Sequence, residues 1–109
     1  MVVVMTKFPI KPEHKETFKQ LIESFGQKGI KEQKGFLKME ILEPKNIPIP
    51  HMPENNTFII LTYWETMDDF INYTKSEAFR KAHEKQPPAE IFAGRLSVEV
   101  YEVIKEESP

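Results

Sequence analysis

One imidazole in this chain stands where chemistry is conceivable. His83 closes the stretch "SEAFRKAH" and is followed by "EKQPP". Imidazole is the side chain whose ordinary titration falls near neutrality, and its neutral ring nitrogen is a common metal ligand. Residues 76–84 read as a short helix. Ser76 can cap it, Ala78, Phe79 and Ala82 mark its buried stripe, and Pro87 and Pro88 prevent its continuation. His83 lies four residues after Phe79, so its ring leans over the inward edge of that helix. The residues leave two readings open. A histidine at a helix C-terminus is favoured by the dipole and touches solvent. A neutral imidazole aimed into the gap between helix and sheet can instead hold a metal, heme iron in particular.

Competing chemistries are thinly supplied. The other two histidines, His14 and His51, fall in the first turn of an exposed helix and in a proline-rich loop. No HxH, HxxxH or carboxylate cluster accompanies them, which argues against a non-heme metal triad. The chain has no cysteine, so disulfides, zinc thiolates and thiol catalysis are excluded. There is no glycine-rich phosphate loop and no GxSxG nucleophile setting. Net charge is −2 with lysine and arginine dispersed, which lacks the concentrated basic surface of a nucleic-acid binder. No apolar run reaches the roughly 20 residues of a membrane span, and the start "MVVVMTKF" lacks the basic n-region of a signal peptide. The expectation is a cytoplasmic protein.

The elements that must position His83 follow from patterning. At 109 residues the chain is expected to form one domain over 1–105 with a flexible tail at 106–109. Residues 2–8 are β-branched and apolar, giving a first strand. In "IKPEHKETFKQLIESFG" the residues Phe18, Leu21, Ile22 and Phe25 form a helical stripe, with Pro12 in the first turn and Gly26 as the stop. Residues 35–44 alternate, with Leu37, Met39 and Ile41 facing inward. Residues 43–56 hold four prolines and read as one long loop. Residues 57–65 are apolar on both faces: Phe58, Ile60 and Trp64 on one, Ile59, Leu61 and Tyr63 on the other. Residues 66–85 give two helical segments, capped by Thr66 with Asp69 and by Ser76. In the last strand, 94–104, Leu96, Val98 and Val100 oppose Ser97 and Glu99.

The order β-α-β-β-α-β predicts an α+β, ferredoxin-like fold: a four-stranded antiparallel sheet with helices on one face. The two-faced strands, first and third, fall at the central positions of that topology, and the one-faced strands fall at its edges. Helices on one side leave Val3, Met5, Ile59, Leu61 and Tyr63 on the other. An apolar patch of that kind is rarely left open on a monomer, so a homodimer with sheets packed face to face is expected.

The stretch "FIILTYWETMDDFINYTKSEAFRKAHEK", with "KFPIKPEHKETF", "KGFLKMEIL" and "VEVYEV" around it, resembles the antibiotic biosynthesis monooxygenase superfamily. Within it, the closest resemblance is to the heme-degrading monooxygenases of the IsdG type. The resemblance implies a dimeric α+β barrel with a pocket between helices and sheet in each subunit. It implies that His83 ligates heme iron, that a ring ten residues earlier presses on the porphyrin, and that a first-strand residue positions bound oxygen. In this sequence those two positions are Tyr73, where the family has Trp, and Thr6, where it has Asn. Trp64, Phe70 and Phe79 are the further heme contacts so implied, although Trp64, Phe70 and Tyr73 read equally as core packing. Arg80, Lys81 and Lys85 are candidate partners for the propionates. The implied reaction is heme hydroxylation at a meso carbon and ring opening, with an external reductant.

Two other functions stay open. A cofactor-independent monooxygenase would hold a phenolic or quinol substrate in the same apolar pocket, with Tyr63, Trp64, Tyr73 or His83 moving protons. A non-catalytic dimeric module would use the pocket to bind a small apolar or aromatic ligand.

Overall fold

A computed structural model describes residues 1–25, 29–84 and 86–109. Four strands form one antiparallel sheet in the order β2-β3-β1-β4. They are β1 (Val2–Pro9), β2 (Phe36–Leu42), β3 (Thr57–Trp64) and β4 (Ser97–Glu102), with helices α1 (Lys15–Glu23), α2 (Met67–Thr74) and α3 (Glu77–Ala82) between them. The two strands with apolar residues on both faces, β1 and β3, are the inner pair of the sheet. This is the ferredoxin-like arrangement expected, with the second helical unit broken into α2 and α3. The helix stop placed at Gly26 lies outside the described residues, as does Lys85.

Two apolar clusters lie side by side on the helix-covered face. In the first, Phe18 and Ile22 of α1 pack on Ile10, Phe58, Ile60 and Ile91. The Phe18 ring stands 5.3 Å from Phe8 and 5.1 Å from Phe58. In the second, Tyr73 of α2 and Ile30 pack on Val2, Val4 and Trp64. Each such ring removed from water stabilises by about 1.5–3 kcal/mol. Leu21 departs from the predicted stripe of α1 and is exposed. Pro12 opens a 3-10 turn, Pro12–His14, that leads into α1.

The edge strands depart from simple alternation. A bulge between Phe36 and Lys38 inserts Leu37 as the unpaired residue of β2. Phe36 therefore takes the inward position, edge-on to Trp64 at 5.5 Å, and Leu37 is exposed. Beyond the bulge, Met39 and Ile41 face the first cluster as expected. A bulge shifts every following side chain by one place, which a period-two reading cannot register. On β4 only Val100 packs against the core. Leu96 precedes the strand, and Val98, opposite Thr6, remains 54 % exposed. The helices sit over β1 and β3 and leave this border of the sheet uncovered.

Gly35 fastens the start of β2 to the start of α2. Its φ of 80° suits glycine alone, and a Cβ there would fall on the Asp69 carboxylate. Asp69 is buried. Its backbone N–H donates to the Thr66 hydroxyl at 3.1 Å, and that hydroxyl donates to Asp69 Oδ2 at 2.9 Å. The cap of α2 is thus packed against a glycine. Gly35→Ala is expected to lower stability by about 2–3 kcal/mol through the left-handed backbone and the displaced cap, measured as a shifted midpoint in urea with an unchanged slope.

The outward face carries rows running across β3, β1 and β4: Tyr63–Val3–Tyr101, Leu61–Met5–Glu99 and Ile59–Lys7–Ser97. Polar groups pair at its margins. Tyr63 donates to Glu40 at 2.7 Å, Lys38 lies 4.5 Å over the Tyr63 ring, and Lys7 meets Glu99 at 2.8 Å. An apolar middle with a polar border is the anatomy of an interface. The expected outcome is a dimeric mass in light scattering at micromolar concentration, moved toward the monomer by Leu61→Glu with the circular dichroism spectrum retained.

Candidate functional site

The position of α3 is set by its caps. The Ser76 hydroxyl accepts from the Phe79 N–H at 3.1 Å and donates to the Tyr73 carbonyl at 2.6 Å. One hydroxyl therefore starts α3 and ties it to the last turn of α2, leaving fewer orphan groups at the break. At the other end His83 is the C-cap. Its backbone N–H reaches the carbonyls of Phe79 and Arg80, each at 3.2 Å.

The His83 ring is aimed by its own helix. Nδ1 lies 2.8 Å from the Phe79 carbonyl oxygen. A carbonyl can only accept, so Nδ1 carries the proton and the neutral ring presents a lone pair at Nε2. The ring stacks on Phe79 at 4.0 Å and 28°, and Phe25 meets it edge-on at 6.3 Å and 90°. A backbone acceptor behind one nitrogen, fixing the tautomer at the other, is the outer-shell arrangement that ligating histidines use.

His83 is exposed and lies in the wall of a wide-open hollow of about 530 Å³, lined also by Thr74, Lys75, Ser76, Glu77, Phe79, Arg80 and Glu84. The hollow is built by the α2–α3 corner and α3, and no sheet residue lines it. The sequence left two readings open for the imidazole: a solvent-touching histidine at the helix C-terminus, or a ring aimed into a gap between helix and sheet. The exposed C-cap position matches the first. The structure turns it outward, because the bond to the Phe79 carbonyl and the stack on Phe79 hold the ring along its own helix.

The other expected site residues divide. Phe79 and His83 line the hollow. Trp64 has no exposed surface and Tyr73 only 5 %, so neither is a wall of the hollow. Both stand behind it. Tyr73 stacks on Trp64 at 5.1 Å and meets Phe79 edge-on at 5.3 Å, and Phe70 lies 6.0 Å from Trp64. Thr6 is on the helix-side face of β1, opposite Ile60 and Val98, and is not part of the lining. Arg80 is already engaged by Glu77 one turn away, and Lys81 is exposed on the same helix. Sequence reasoning missed Phe25 as a neighbour of His83. Its spacing marked it as core, and nothing local in the chain places α1 beside the end of α3.

A profile of the antibiotic biosynthesis monooxygenase family matches residues 1–85. The chain belongs to that family. A heme-degrading monooxygenase of Halalkalibacterium halodurans is 35 % identical over 88 residues, covering 79 % of this chain and 72 % of the relative. A heme-degrading monooxygenase of Shouchella clausii is 36 % identical over 104 residues, covering 94 % and 90 %. Among solved structures, the heme-degrader MhuD of Mycobacterium tuberculosis, with two hemes in its active site, superposes with a TM-score of 0.72 at 17 % identity. It covers 99 % of this chain and 100 % of its own. At that identity the likeness carries the fold.

In this member of the family the Tyr73 phenol is pushed above its ordinary value by burial. The fold therefore favours the neutral phenol. That contribution is whole below about pH 10 and is lost as pH rises through the raised value. Thermal melts between about pH 9 and 11 should fall more steeply for the wild type than for Tyr73→Phe, because Tyr63 and Tyr101 are common to both proteins.

Proposed function

We propose that the protein is an oxygen-dependent monooxygenase that degrades heme, with heme as substrate and His83 Nε2 as the iron ligand. The observation that carries this reading is the His83 ring: fixed in tautomer by the Phe79 carbonyl, exposed, and set in the wall of a hollow. The relatives at 35 % and 36 % identity, named for heme degradation, support it.

The donor set fits the substrate. Among the described residues no three metal-ligating side chains converge, so a bare iron ion finds no cage. A porphyrin brings four equatorial nitrogens of its own, and one imidazole then suffices. Bound heme supplies the redox chemistry and oxygen activation, with electrons from an external reductant.

The chain supplies the rest. Ser76 and the Phe79 carbonyl hold the imidazole at a fixed angle. Phe79 gives an apolar surface beside it. Lys75 on the rim is a cation for a propionate. Arg80 can serve only by giving up Glu77. Tyr73 and Trp64 back Phe79 and keep it from yielding when a flat ligand presses on the site. In this arrangement their role is support from behind rather than contact, and Thr6 has no direct role at this hollow. We place the activity in the cytoplasm, where soluble reductants are available, and in a dimer joined through the outward sheet faces.

Titration with hemin tests the reading. A Soret band should appear with one heme per chain, and His83→Ala should weaken binding by at least tenfold and move the band. Added reductant under oxygen should then bleach the band in the wild type. No band at all, with oxygen uptake on a quinol instead, would replace this reading with cofactor-independent oxidation.

A further inference from the structure

Between β2, which ends at Leu42, and β3, which begins at Thr57, the chain makes a connection far longer than the roughly two to five residues a hairpin needs. Every residue from Lys45 to Asn55 is exposed, so the body of the chain buries none of this segment. It is nevertheless shaped. Pro44 is buried and the Asn56 carbonyl accepts from the Ile10 N–H, which fixes both roots. The Asn55 N–H donates to the Asn46 side-chain oxygen at 2.8 Å and closes the neck. At the tip the Met52 N–H donates to the Ile49 carbonyl at 3.4 Å across Pro50 and His51, and His51 takes the left-handed φ of 69°. An arm held this way gives up little freedom on binding.

The arm carries an apolar surface with nothing over it. Ile47, Ile49 and Met52 are 51 %, 59 % and 46 % exposed, a concentration of large apolar side chains that a lone soluble chain rarely leaves to water. The hollow beside His83 does not receive them: β3 runs from the root of the arm at Thr57 away to Trp64 and α2, and no arm residue lines the hollow. An anionic membrane is a poor match, because Lys45 is offset by Glu43 and Glu54 and the arm holds no tryptophan.

A second copy of the chain is the better match. The outward sheet face has four strands of six to eight residues, and at about 4.8 Å between strands and 3.3 Å per residue it projects to about 450 Å². A stable pair takes about 800 Å² from each partner, so the face needs surface from beyond its own strands. Leu42, 40 % exposed, pairs with Ile59 in an outward row, and carries that apolar face up to the root of the arm. Packed sheets lie about 10 Å apart, whereas the chain from Glu43 to Pro50 spans up to about 26 Å.

We propose that residues 45–55 are an arm that clasps a second copy of this chain, laying Ile47, Ile49 and Met52 over the margin of its outward sheet face. Two-fold symmetry makes the clasp mutual. The proposal rests on the sheet-to-sheet dimer given above and does not depend on heme.

The three apolar side chains are exposed in the single chain, so Ile47→Ser/Ile49→Ser/Met52→Ser tests the contact without disturbing the core. The triple variant should keep the circular dichroism spectrum and raise the dimer dissociation constant at least tenfold in sedimentation equilibrium. A second measurement locates the arm. The chain has no cysteine, so a nitroxide attached to Ile49→Cys is a single label. Mixed with wild-type chain enriched in nitrogen-15, it broadens the wild-type amides only across subunits. Amides of the outward rows should lose more than half their intensity, and a nitroxide on Glu16→Cys, exposed on α1, should leave them sharp. A wild-type dimer whose dissociation constant the triple variant leaves unchanged, or whose outward-face amides stay sharp, would overturn the clasp and leave the dimer standing. A wild type that stays monomeric at every concentration would overturn both. Capture of the labelled arm by phosphatidylglycerol vesicles in place of the wild-type chain would overturn the clasp in favour of a lipid surface.

Discussion

Trp64 closes β3 with no surface left to water, and the placement of the site runs outward from it. Phe36, Phe70 and Tyr73 pack on its ring. Its one polar group is answered by Thr62 two residues back on the same strand face, so the indole is buried without an unpaired donor. Tyr73 brings α2 down onto it, Ser76 binds α3 to the end of α2, and Phe79 and His83 follow. Each contact takes its position from the one before. Interiors of this density transmit displacement rather than absorb it, so a shortened ring at position 64 is felt at the imidazole although the two never touch.

The sheet was legible in the sequence because its constraint is periodic. The inner strands are apolar on both faces over Val2–Met5 and Phe58–Leu61, and that pattern marks the middle of a sheet. The edges were less legible. Leu37 and Phe36 are both large and apolar, and only the bulge decides which one is buried. On β4 the alternation of Leu96, Val98 and Val100 is real, yet two of the three remain exposed. Alternation records which side of the sheet a residue faces. It does not record whether a helix lies over that side.

The site divided along the same line. The helix, its serine cap and its terminal histidine are local features, each within a few residues of its partner, and all three were readable. What the ring faces is not local. Its orientation follows from a competition between an inward cavity and the carbonyl one turn back, and the interior beneath α3 is already filled by Tyr73 and Trp64. Phe25 reaches His83 from the turn after α1, a contact without a sequence signature. Family likeness implied His83 as an iron ligand and Tyr73 as a surface pressed against porphyrin. The packing moves Tyr73 one layer deeper.

The imidazole is anchored to the last turn of a six-residue helix. So short a helix frays at its end, and when that turn opens, the Phe79 carbonyl lets go of Nδ1 and the ring loses both its bearing and its tautomer. A metal held at Nε2, as proposed for heme iron, would tether the same turn from outside. Occupancy and order of α3 would then be linked quantities: each molecule that seated itself would lengthen the lifetime of the coil that holds it.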